Sequence, residues 1–189
     1  MPKLFDLHLH CGPEAIPRQY DFLALARYLE AGDRVGGAVA KSHFHSTVPW
    51  AWLAAKQGCA NLFGSVVLNY PLGGINPHAV LASLGVEWEG KSLLKIVWMP
   101  TLHAKGHIEM QRAHGQQYDI PAEWTGGVFS KGSQPLDLIE PIDILQPKWR
   151  EPLKRVLSII AENGLILATG HLTRAEVLEL VPLAKREGV

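Results

Sequence analysis

Short apolar runs alternate with helix-patterned segments along nearly the whole sequence, and this alternation limits the fold more than any other feature. Residues 3–10 (KLFDLHLH) form an apolar run broken by Cys11, Gly12 and Pro13, which predicts a first strand. In FLALARYLEAG, Phe22, Leu25, Ala26 and Leu29 recur at helical spacing, with Asp21 as N-cap and Gly32 as the stop. A strand over 37–43 (GAVAKSH) leads to a helix over 49–58 that opens on Pro49 and closes on Gly58. A third strand over 62–69, a short helix over 77–84 and a fourth strand over 93–101 repeat the pattern. Beyond a stretch at 102–148 with Gly, Gln and Pro, a helix over 151–163 precedes a fifth strand over 165–171. Thr173 and Glu176 spell a capping box for a last helix reaching about residue 187, where Pro182 predicts a kink.

Strands alternating with helices imply parallel βαβ units, either in an open doubly wound sheet or in a (β/α) barrel. Neither GxGxxG nor GxxxxGK[ST] occurs, so no dinucleotide or P-loop site is offered. The class is α/β, and the barrel alternative is expected to be incomplete, a TIM-like barrel of about five βα units, because a closed eightfold barrel takes about 250 residues and this chain has 189. The chain reads as one domain over 1–189, truncated at its C-terminal end. Residues 102–148 are expected to form a long loop or lid on the catalytic face.

Charge and composition narrow the partners. The 18 basic and 18 acidic side chains cancel, which argues against a nucleic-acid partner and for a small-molecule substrate. With no apolar run long enough for a membrane span and no signal-peptide pattern at MPKLFDLHLH, the expectation is a cytoplasmic protein without a membrane partner. A homo-oligomer is compatible with this composition. Cys11 and Cys59 show no CxxC spacing, so neither a disulfide framework nor a cysteine-based metal site is indicated.

Histidine is the unusual residue, and where the nine copies fall matters more than their number. Residues two apart on a strand share a face, so Asp6, His8 and His10 line up on the first strand, as do Lys41 and His43 on the second. His171 ends the fifth strand, and His103 follows the fourth after Pro100 and Thr101. In a parallel sheet these ends share one rim, the rim where α/β enzymes place their sites. Imidazoles converging there suit Zn, Mn, Fe or Ni. Lys41 emerges from the apolar run GAVA. It could hold a substrate carboxylate or phosphate, act as a base, or carry a metal-ligating carbamate. Lys41 and His43 are the catalytic candidates, Thr101 is a substrate contact, and His103 reads as a substrate contact or a metal ligand. His45 reads as a loop residue, His78 as structural, and His107 and His114 as part of the long loop.

Together DLHLHCGPE, KSHFHST, VLNYPLGGINPHAV, WMPT and LATGHLTRAEV resemble the amidohydrolase superfamily of metal-dependent hydrolases, and more closely an amidohydrolase-like family of domains of unknown function. The resemblance covers nearly the whole chain and implies a (β/α) barrel. It implies that His8, His10 and His171 hold a divalent ion, most simply zinc, whose activated water attacks an amide, ester or lactone carbon. The superfamily's strand-four lysine, strand-six histidine and strand-eight aspartate base have no counterpart here, so the base is expected beyond Val189. Two other readings stand beside this one: a metal-dependent decarboxylase or phosphoesterase on the same barrel, and a non-catalytic metal- or ligand-binding barrel fragment.

Overall fold

The computed structural model describes residues 4–14, 17–32, 35–114 and 140–189. The chain runs β1 (Leu4–His10), α1 (Phe22–Ala31), β2 (Val35–Lys41), α2 (Val48–Lys56), β3 (Leu62–Val67) and α3 (Pro77–Leu84). It continues through a small antiparallel hairpin, β4 (Glu87–Trp88) and β5 (Lys91–Ser92), to β6 (Leu94–Trp98) and α4 (Lys105–His114). The last elements are α5 (Arg150–Glu162), β7 (Ile166–Ala168) and α6 (Arg174–Arg186).

The main sheet has five strands in the order β1-β2-β3-β6-β7, each pair parallel, curled into a half-barrel. Strand order never reverses along the chain, so the sheet has no topological switch point of the doubly wound kind. A partial TIM-like barrel is therefore the architecture, the one of the two alternatives that the resemblance implies.

Local signals account for several element boundaries. The Asp21 side chain accepts from the Ala24 amide and starts α1, and the Gly32 amide closes it on the Leu29 carbonyl. At α6 the capping box forms in both directions between Thr173 and Glu176, and the helix continues through Pro182. Packing supplies the rest. Leu153, Val156, Leu157, Ile159 and Ile160 line the buried face of α5, and each buried side chain of this kind is worth about 2 kcal/mol. These residues join Leu62, Val66, Leu94 and Val97 of the sheet in one core.

Two expectations need correction. The strands are shorter than the apolar runs suggest: β2 ends at Lys41, β6 at Trp98 and β7 at Ala168. His43, Thr101, His103 and His171 therefore lie in the turns beyond the strands, where the backbone leaves the sheet ladder. The stretch from 102 is not all loop, because 105–114 is α4. The remainder of that expected lid, 115–139, lies outside the described residues.

Candidate functional site

The strand ends place a row of imidazoles at one rim. His10 closes β1 and is the register partner of Lys41, the last residue of β2. The β1–β2 register shifts between Asp6 and Leu9, and the Asp6 carboxylate accepts from the His8 amide at 2.9 Å. His8 and His10 nevertheless keep the shared face expected from strand period, with ring centroids 5.3 Å apart. The row continues from His10 to His43 at 4.7 Å, from His43 to His171 at 6.4 Å and from His171 to His107 at 5.1 Å.

Behind His43 the hydrogen bonds fix a tautomer. Asn69 Oδ1 accepts the Thr101 and His103 amides, so its Nδ2 is the donor, to the His43 carbonyl at 3.1 Å and to Thr101 Oγ1 at 2.8 Å. The Thr101 hydroxyl accepts that bond, and because its own proton has no other acceptor among the described residues it goes to His43 Nδ1, 2.8 Å away. A neutral His43 then carries its hydrogen on Nε2, as a donor.

A second cluster supports the same imidazoles from below. The Glu14 side chain is fully buried and pairs with Arg18. Its other oxygen accepts from Ser42 Oγ at 2.7 Å and from the His43 amide at 3.2 Å. Arg18, a donor only, reaches His10 Nδ1 at 3.2 Å. Lys41 is 1% exposed. Its ammonium lies 3.0 Å from His8 Nε2 and 4.1 Å from the centre of the Trp98 ring. Two buried polar atoms near this rim lack a hydrogen-bond partner among the described residues: Trp98 Nε1 and His103 Nδ1.

Burial decides the protonation of this rim. It pushes His43 down to about 2, helped by His10, Lys41, Arg18 and His171. His10 falls to about 3 through burial and then Arg18, Lys41 and His8. His103 falls to about 4 through burial and His107, and His171 to about 4 through burial, His107, Lys41 and His8. His8 and His107 are lowered by burial as well. Burial also pulls Lys41 down to about 8, with Glu14 opposing and Arg18 adding. Near neutral pH the rim holds uncharged imidazoles beside a largely protonated lysine.

All seven residues proposed from sequence lie around this rim, although His103 faces Tyr70, with ring centroids 5.1 Å apart, rather than the imidazole row. Sequence reading missed Glu14, Arg18, Asn69, Trp98 and His107. Only His107 carried a signal, its four-residue spacing from His103 at the start of a helix. Neutral imidazoles have the donor chemistry of a divalent-ion site. His107 Nδ1 and His171 Nδ1 are 3.3 Å apart, the span of two nitrogens at about 2.0–2.1 Å from one tetrahedral ion. Among the described residues, however, no three His, Cys, Asp or Glu converge on one point. In the observed arrangement His8 Nε2 and His10 Nδ1 are taken by Lys41 and Arg18.

Fold and site define a parallel α/β half-barrel protein with a histidine-rich rim. The chain belongs to the family of unknown function DUF6282, whose model matches residues 3–189. Comparison with curated proteins and with solved structures returned no match. Among the described residues, no helix is long and apolar enough to cross a membrane.

Proposed function

We propose that this chain belongs to a metal-dependent hydrolase of the amidohydrolase type, acting on an amide, ester or lactone of a small molecule. The observation that carries the reading is the row of uncharged imidazoles at the carboxyl rim of a parallel half-barrel, beside a buried lysine. His8, His10 and His171 would hold the ion, with zinc the first choice and Mn, Fe or Ni alternatives. When bound, such an ion lowers the pKa of a water ligand and polarises a carbonyl. The chain's own part is electrostatic. The Lys41 ammonium and the His43 Nε2–H are fixed donors for negative charge on the substrate. Glu14 holds the His43 amide and Ser42, and Asn69 holds His43 through its carbonyl and Thr101.

Metal analysis of the protein, purified without chelator, tests the reading. About one equivalent of a transition metal is expected in the wild type, falling several-fold in both His8→Ala and His171→Ala. Metal content unchanged in both variants refutes the site. A panel of amides, esters, lactones and phosphoesters then separates the reactions: turnover of phosphoesters alone would replace the first choice with the phosphoesterase.

A further inference from the structure

Among the described residues the rim contains a buried cation with no anion to match it. Among the described residues no carboxylate lies within ion-pair distance of Lys41, although its side chain is almost wholly buried. Glu14, the carboxylate whose charge acts on Lys41, is committed to Arg18, Ser42 and the His43 amide. Burying an ammonium against a neutral imidazole and an indole face leaves most of its lost hydration unrecovered. Two N–H groups of the same rim are also donors. His43 presents Nε2–H because Thr101 occupies its Nδ1, and the buried Trp98 Nε1–H has no acceptor among the described residues. One uncompensated positive charge with neighbouring N–H groups calls for a singly charged ligand with two acceptor oxygens.

We propose that Lys41, with the Nε2–H of His43 and the indole N–H of Trp98, binds a carboxylate group of the substrate. The proposal rests on the rim being the substrate site and adds the substrate's class: a carboxylate-bearing small molecule. It does not require the metal, because the donors named belong to the chain. Arg18 contributes no net charge here, being neutralised by Glu14, so a phosphate dianion would leave a negative charge without a partner.

Calorimetric titration of the metal-stripped full chain at neutral pH with acetate, succinate and inorganic phosphate is the test. The carboxylates are expected to bind, with phosphate at least tenfold weaker, and Lys41→Gln to weaken carboxylate binding tenfold or more while circular dichroism stays native. In case Lys41→Gln does not fold, the wild-type indole N–H resonance of Trp98, assigned through Trp98→Phe, gives a second reading: it should shift on adding carboxylate. Carboxylate binding unchanged in a folded Lys41→Gln, an unmoved Trp98 resonance, or phosphate binding as tightly as carboxylate overturns the proposal. Carboxylate binding that occurs only after zinc is restored also overturns it, while leaving the metal reading intact. Binding by a protein that never holds metal supports the proposal and removes the hydrolase reading.

Discussion

Removing the Glu14 carboxylate would leave Arg18 without its ion pair and deprive the Ser42 hydroxyl and the His43 amide of their acceptor. Breaking a buried pair from one side costs more than the pair contributes, because the remaining charge stays desolvated. With Arg18 partly exposed, Glu14→Ala is expected to cost about 3 kcal/mol, read as a lower urea midpoint at unchanged slope. A loss under about 0.5 kcal/mol, the size of an ordinary surface change, would show that Glu14 supports nothing. At this scale the sequence was legible where one strand's own geometry did the placing. His8 and His10 share a face by period, and Lys41 reaches the same rim because β2 pairs with β1 in parallel. Glu14 was not legible, since it acts through a turn that returns to the end of a different strand. Asn69 and Thr101 meet only through tertiary packing. The same contacts set the His43 tautomer, which turns a residue read as catalytic from spacing alone into a hydrogen-bond donor.

Elements were legible where capping is local, as at α1 and α6, and illegible where it is not. The segment KGHIEMQRAH carries a Gly and two His and little apolar periodicity, so nothing in it announces α4. The helix is placed instead by close approach. A Cβ on Gly106 would lie 2.7 Å from the His171 carbonyl oxygen and 3.1 Å from the Thr173 amide, so only glycine lets α4 lie against this turn. That approach brings His107 beside His171. Gly106→Ala gains helix propensity of up to about 1 kcal/mol but forces backbone apart, for which an overpacking cost of about 1–3 kcal/mol is expected. The diagnostic readout is the His107–His171 contact, followed by imidazole NMR. The two resonances should stop responding to each other in Gly106→Ala while α6 keeps its amide-exchange protection. An unchanged contact would mean that α4 is held by other means. The strands were overestimated at their C-terminal ends for a related reason. Residues such as His43 and His171 continue the apolar alternation in sequence, yet their backbone has already turned away to bond elsewhere, as the His171 amide does to the Pro100 carbonyl at 2.9 Å.

For the whole molecule, the gathered imidazoles make stability depend on acid, and the sign follows from their environment. His43 and His103, 7% and 8% exposed, are held at about 2 and about 4, against an ordinary value of 6.5. Between those values the unfolded chain binds protons that the folded chain refuses, so stability is complete above about pH 6.5 and is lost as pH falls. Each such group contributes up to about 1.4 kcal/mol per pH unit in that window, so the two together remove about 2 kcal/mol between pH 6 and pH 5. His103 stops contributing below about 4, where it is protonated in the folded state as well. His8, His10, His107 and His171 are less buried and are all lowered, so they steepen the loss without changing its direction. Against a total of about 5–15 kcal/mol for a typical domain, this places acid unfolding well above the carboxylate range. Urea titrations from pH 8 to pH 4 should show a flat midpoint down to about 6.5 and a steep decline below it. His43→Gln should flatten the decline by about one proton's worth of slope. A midpoint constant from pH 7 to pH 4.5 would mean that the rim imidazoles titrate as if in water, and that burial does not hold them uncharged for the chemistry of the rim.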